Sequence, residues 1–277
     1  YSFDANYTLK SETAVNLVDL ANDETDASRD INGDGIIGAK VLNAIDKAAG
    51  LYRVSIENKF MMVSASAANP PVKQTSLRNV LLGESSSPIQ LGVNSEILDD
   101  AGDTTGFKVR SAFTDPLDAT LFKVFATKTN GNQTDDTADD FSDVKQFTFK
   151  VNTNAIDYKD YKRVETSAVL DAKSLVEAEK ASGKDLNTDL SVGVKIGAAV
   201  DKSGGLYSSK VLGSTYYFYD ELNKKSGTSS ITAIDLSRAF LDDNSDPWKL
   251  EAGFSIGGVV KNDSNGYDIY TYKQNIS

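Results

Sequence analysis

The chain contains no cysteine and no histidine, and only two methionines, one tryptophan and five prolines in 277 residues. Without Cys there are no disulfides, thiol nucleophiles or thiolate metal sites. Without His there is no imidazole acid–base chemistry, and the commonest zinc ligand is missing. Positive charge is also short. Twenty-nine Lys and Arg stand against 40 Asp and Glu, a formal charge of −11. Nucleic acid and anionic membrane both require a basic face, so neither is expected as a partner. No apolar run reaches the length of a membrane span. The chain has no initiator Met and no signal peptide, which reads as a processed end or an internal boundary.

What is present is a repeat. Residues 30–52 read DINGDGIIGAKVLNAIDKAAGLY and residues 185–207 read DLNTDLSVGVKIGAAVDKSGGLY, at one ungapped offset of 155 (185 − 30 and 207 − 52). The similarity extends further, in the same order. Leu98-Asp99-Asp100-x-x-Asp103 recurs as Leu241-Asp242-Asp243-x-x-Asp246. Phe107-Lys108-Val109 recurs as Trp248-Lys249-Leu250, and Ala112-Phe113 as Gly253-Phe254. Phe147-Thr148-Phe149-Lys150-x-Asn152 recurs as Tyr270-Thr271-Tyr272-Lys273-x-Asn275. Tyr1-Ser2-Phe3-x-x-Asn6 matches the same terminal strand. The organisation expected is a terminal strand at 1–6 from a preceding repeat, unit one at 7–152 and unit two at 153–277, all within a longer array.

Each unit reads as α+β: a helix, a calcium-type loop and a second helix, followed by a mainly antiparallel sheet. Apolar residues at helical spacing place the first helices at about 11–22 and 167–181. Short helices are expected at 39–47 and 194–202, ended by Gly50 and Gly205. Hairpins follow at Leu51–Ile56 with Phe60–Ser64, and at Leu206–Leu212 with Thr215–Tyr219. A further short helix is expected at Leu77–Leu82, matched by Leu236–Leu241. Strands are expected at 107–113, 120–127 and 144–151 in unit one, and at 248–260 and 267–274 in unit two.

Calcium takes six to eight oxygens, and alternating loop positions supply them. Asp30, Asn32 and Asp34 hold positions one, three and five, with Gly35 at the turn and the Ile36 carbonyl next; Ile37 is expected to pack inward. Position twelve, an acid in such loops, is Val41, so a remote carboxylate or water must complete the shell. Glu24 and Asp46 are candidates because both recur, as Glu179 and Asp201. Each has a plain alternative, as a solvated helix residue or a helix-end charge. The second loop keeps Asp185, Asn187 and Asp189 but places Leu190 where the glycine belongs, a left-handed position that costs leucine about 1–2 kcal/mol. It reads either as a weakened site or as an Asx-rich turn. The Asp99 and Asp242 clusters read as structural turns. Asp135, Asp136, Asp139, Asp140 and Asp143 read as a solvated loop or a loose calcium bridge. Asn-x-Ser/Thr sequons at Asn6, Asn132, Asn262 and Asn275 matter only in a glycosylating export pathway.

The calcium-type loop, the Gly-Leu-Tyr after it, Leu212-Gly213-x-x-Tyr216-Tyr217-x-Tyr219-Asp220, Trp248 and the closing Tyr-x-Tyr together resemble bacterial surface repeats. The nearest comparison is the cyanobacterial tryptophan-rich repeat domains, often preceded by dockerin-like Asp-x-Asn-x-Asp loops. The single Trp departs from that pattern, with Phe107 in its place in unit one. The resemblance implies an extracellular or cell-surface array with structural or adhesive roles, and it carries over no catalytic residue. The functional expectation is a non-enzymatic segment of a surface layer, fibre or adhesin rigidified by Ca2+, partnered by copies of itself or neighbouring repeats. The alternative is a glycan- or protein-binding module with an aromatic platform drawn from Tyr207, Tyr216, Tyr217, Tyr219, Trp248 and Tyr270. Abundant carboxylates leave a glycosidase-like pair as a third reading, with nothing beyond their number behind it.

Overall fold

The structure, a computed structural model, describes residues 2–3, 6, 9–11, 14–65, 70–83, 87–99, 101–129, 141–150, 168–187, 191–194, 197, 199–211, 214–220, 239–244, 248–264 and 266–273. The chain forms two compact units. One comprises 1–126 with 147–167, the other 127–146 with 168–277, so the divisions fall inside two strands.

In chain order the first unit opens with β1 (Ser2–Phe3) paired antiparallel to β2 (Leu9–Ser11). Helix α1 spans Leu17–Ala27. It starts later than its apolar spacing suggests because Asn16 caps it, accepting the Val18 and Asp19 N–H groups at 3.0 and 2.9 Å. Then follow β3 (Ala39–Asp46), β4 (Leu51–Ile56), β5 (Lys59–Ser64), β6 (Gln74–Thr75), β7 (Gln90–Leu91), β8 (Glu96–Leu98), β9 (Thr104–Thr114), β10 (Leu121–Thr129) and β11 (Phe141–Lys150). Hydrogen-bonded order runs β11-β10-β9-β8-β7-β5-β4-β3-β6. Glu57 and Asn58 turn the β4–β5 hairpin with φ of 46° and 63°, the positive pair that a tight hairpin requires.

The β4–β5 hairpin is buried on both faces, which is why it reads as a nearly continuous apolar run. Tyr52, Val54, Met61 and Val63 pack with Val18 and Ala21 of α1. Leu51 and Met62 turn the other way, towards Phe122, Val124, Phe147 and Phe149. Arg53 shares that second side, nine-tenths buried, with its guanidinium 4.2 Å from the Phe60 ring centroid.

The second unit contains β12 (Ala168–Val169), paired antiparallel with β11, then α2 (Ala172–Ser182), β13 (Ala199–Asp201), β14 (Leu206–Val211), β15 (Ser214–Tyr219), β16 (Phe254–Lys261) and β17 (Tyr267–Lys273). Asp171 caps α2 through the Ser174 N–H at 2.7 Å, and Gly183 ends it with φ 64°. β13-β14-β15 form one sheet and β16-β17 another.

The described chain is therefore mostly antiparallel β with two short helices, and the α+β reading with helix–loop–helix units is overturned. The segment read as a helix at 39–47 is β3, paired on one edge with β4 and on the other with β6. Eight residues without caps make a marginal helix, whereas two flanking strands satisfy the same backbone groups. In 194–202 the described residues include β13 and no helix. Leu77–Leu82 is a turn leading to the bridges Val63–Val80 and Leu82–Pro88. Of Leu236–Leu241, residues 239–241 are extended, with Ala239 bridging Phe218, and the rest lie outside the described residues.

The two copies match bond for bond through the hairpins. Ala65 donates to the Gly50 carbonyl and Asp220 to that of Gly205; Leu81 donates to Met62 and Phe240 to Tyr217. Past that point the backbone corrects the sequence matching. Trp248 donates to Phe240 as Ile89 donates to Leu81, so Trp248 stands in the place of Ile89 and not of Phe107. The segment expected to be the terminal strand of a preceding repeat contains β1, which pairs with β2 of the same unit.

Candidate metal loops and their clamps

Helix α1 delivers Glu24 on its last turn, fully buried. Its Oε1 accepts the Ile31 and Asn32 N–H groups at 3.0 and 3.1 Å, and its Oε2 accepts the Gly38 N–H at 2.9 Å. Helix α2 repeats the arrangement. Buried Glu179 accepts Leu186 and Asn187 on Oε1 at 3.0 and 3.4 Å, and Gly193 on Oε2 at 2.8 Å. The spacings of 7, 8 and 14 residues are identical in both. Each Glu is thus a clamp that closes its loop from the helix side. Its two oxygens take up backbone donors, and those of Gly38, Leu186, Asn187 and Gly193 are buried and would otherwise go unpaired.

Asp46 and Asp201 form a second pair of clamps. Asp46 Oδ1 accepts from Ala49 at 3.1 Å, and its Oδ2 accepts from Ala112 in β9 at 3.0 Å. Asp201 Oδ1 accepts from Gly204 at 3.0 Å, and its Oδ2 accepts from Val259 in β16 at 3.0 Å. Each ties the turn after its strand to a strand that packs against it without pairing with it, β9 for Asp46 and β16 for Asp201. Burial raises the Asp201 carboxyl, but the Gly204, Val259 and Ser203 donors outweigh it and hold the pKa below the ordinary value. The folded pKa is depressed, so the stabilisation is present above the unfolded value near pH 4 and is lost as pH falls through the folded one. Asp201→Asn should therefore flatten the acid limb of stability below about pH 4. An unchanged acid limb in urea melts across that range counts against the clamp.

Within the first loop, Asp30 Oδ1 accepts from Gly33 at 2.6 Å and its Oδ2 from Gly35 at 2.8 Å. Asn32 Oδ1 accepts from Asp34 at 3.0 Å, and Asp34 Oδ1 from Ile36 at 2.8 Å. Asn32 Nδ2 lies 3.4 Å from Asp34 Oδ2. The structure brings Asp30, Asn32 and Asp34 into one turn, with Asn32 and Asp34 exposed. Glu24 and Asp46 are engaged elsewhere by backbone. Val41, at position twelve, is a β3 residue donating to the Lys73 carbonyl. Among the described residues no group of three or more carboxylates gathers as a metal site. The donor set fits calcium in kind, as hard oxygens with lone pairs left over, and falls short in number. In the second loop Asp185 and buried Asn187 are described, while Asp189 and Leu190 lie outside the described residues.

Of the aromatic platform, Tyr207 and Tyr216 are buried. Tyr217 packs edge-on against Trp248 at 5.4 Å, and Tyr219 lies 4.2 Å from Tyr267. Only Tyr270 of that set is exposed, and Tyr272 joins it two residues on along β17. Asp99 and Asp242 accept nearby backbone N–H groups, as turn residues do. Of the acidic insertion only Asp143 is described, in β11. Asn262, a sequon residue, spends its side chain on Ser264, Gly266 and Asp268.

The clamps escaped sequence reading because their acceptor role needs a partner segment brought close by folding; the only signal was that both acids recur at a fixed offset. Comparison with protein-family models, curated proteins and solved structures returns no match for this chain.

Proposed function

We propose that this chain is a structural or adhesive segment of an extracellular or cell-surface array, built from repeated units whose loops take up Ca2+. The observation that carries the reading is the duplicated clamp. Glu24 and Glu179 hold their loops by the same three bonds, which supports two copies of one structural unit over a single reaction centre. The acidic surface and absent cysteines support it. Calcium sits on Asp30, Asn32, Asp34 and the Ile36 carbonyl, with water completing the shell. A site so sparing in carboxylates belongs at the weak end of the range, about 10⁻⁴–10⁻³ M, suited to a calcium-rich exterior. Glu24 shapes the loop from the helix side through its backbone bonds, and calcium adds rigidity from the Asp30–Asp34 side.

Thermal melting in calcium and then in chelator tests this. Saturation at about a hundred times the dissociation constant adds about 2.7 kcal/mol, so the transition should rise in calcium and fall back on chelation. A transition indifferent to both overturns calcium loading. Electron microscopy of concentrated protein should show filaments or lattices, and discrete single particles under all conditions would overturn the array. A second reading, glycan capture, rests on exposed Tyr270 and Tyr272. It predicts quenching of tyrosine fluorescence by oligosaccharide that Tyr270→Ala with Tyr272→Ala abolishes.

A further inference from the structure

We infer that Asn32 is a site of self-modification: the Gly33 backbone nitrogen attacks the Asn32 side chain, ammonia leaves, and water then leaves an acid in place of the amide. Both residues are exposed in the first loop. Glycine lets a neighbouring side chain close on the backbone with no Cβ in the way. Gly33 lies at φ +78°, with nothing within 4 Å of where its Cβ would be. The Asp34 N–H donates to Asn32 Oδ1 at 3.0 Å. That bond closes a small ring of chain containing both Asn32 Cγ and the Gly33 nitrogen, so electrophile and nucleophile are held together. The same N–H sits on the oxygen that gains negative charge during attack, as an oxyanion donor does. On the other side the Gly33 N–H donates to Asp30 Oδ1 at 2.6 Å, which puts a carboxylate on the proton that must leave.

The chemistry needs no co-reactant except water. The Gly33 nitrogen bonds to Cγ, its proton passes through the Asp30 carboxylate to Nδ2, and the Cγ–Nδ2 bond breaks to release ammonia. The product is a cyclic imide. Water opens it at Cγ, leaving aspartate, or at the Asn32 main-chain carbonyl, leaving isoaspartate. In either case the Gly33 nitrogen recovers a proton from that water. Both products add a carboxylate between Asp30 and Asp34, the kind of ligand in which the loop is sparing. A gain in calcium affinity rests on the calcium reading; the modification itself does not. The second loop is the contrast within the same molecule. Asn187 is 6% exposed, and β-branched Thr188 follows it in place of glycine.

Ageing the full-length protein at neutral pH tests this, with conversion read by peptide mapping and mass spectrometry. Asn130 and Asn265 also precede glycine, so conversion is scored residue by residue. Asn32 should convert about tenfold faster than Asn187, and Gly33→Ala should slow it about tenfold. Conversion no faster than at Asn187, or undiminished in Gly33→Ala, overturns the site. Asp30→Asn separates the loop geometry from the Asn-Gly pair alone, because it keeps an oxygen for the Gly33 N–H and removes the base. It should slow Asn32 severalfold in the folded chain and leave the rate in urea unchanged. An unchanged rate in the folded chain overturns the part assigned to Asp30. Calcium titration of fresh and aged protein reports separately on the functional reading: equal affinity after Asn32 has converted counts against calcium at that residue and leaves the modification standing.

Discussion

Replacing Glu24 with Gln is expected to destabilise the first unit by about 1–3 kcal/mol, to the same extent in calcium and in chelator. The amide can still present an oxygen to Ile31 and Asn32, but its NH2 then meets the Gly38 N–H, and a buried donor loses its acceptor. Glu24→Ala removes all three bonds and should cost more, about 3–5 kcal/mol. Hydrogen exchange locates the effect: in Glu24→Gln the Gly38 amide exchanges faster while Ile31 and Asn32 stay protected. Glu179→Gln should do the same at Gly193. If the loss appears only in calcium, Glu24 is a ligand after all and the clamp assignment fails.

The second large effect is at Gly38. It lies at φ +82°, and a Cβ there would sit 2.6 Å from the Thr75 carbonyl oxygen, 2.7 Å from Thr25 Oγ1 and 3.3 Å from the Ala21 carbonyl oxygen. Two of those are backbone atoms of packed elements, so the overlap adds to the left-handed strain. Gly38→Ala should cost about 3 kcal/mol or more, and urea melts measure it. Gly33 isolates the strain: at φ +78° with nothing within 4 Å of its Cβ, Gly33→Ala should lose only about 1 kcal/mol. Equal losses at the two positions would mean that the Thr75 and Thr25 contacts yield without cost.

Strands with a local signature were legible. The β4–β5 and β14–β15 hairpins lie where apolar runs meet turn residues, and β9, β10, β11 and β17 lie close to their aromatic alternations. The helices were legible in kind and displaced in position: the capping side chains of Asn16 and Asp171, and not the apolar spacing, set where they begin. β3 was not legible, because its pattern suits a short helix as well, and its partner β6 comes from further along the chain, pairing Ala39 with Thr75 and Lys40 with Gln74. Tertiary pairing decides such cases, since neither local preference exceeds about 1 kcal/mol per residue.

The candidate site divides the same way. Asp30, Asn32 and Asp34 sit within one turn of chain, so their spacing alone brings them together. Glu24 and Asp46 reach partners up to 66 residues away, and no spacing states which atoms they will face. By itself the sequence determined the duplication, the acidic cysteine-free chemistry and the Asp-x-Asn-x-Asp-Gly spacing of the first loop. Only the tertiary structure decided that the recurring acids are clamps, that the segment after the loop is a strand, and that Trp248 stands in the place of Ile89. The physical reason is common to all three: a backbone N–H or C=O is chemically the same at every residue, and only folding selects the acceptor or donor it meets.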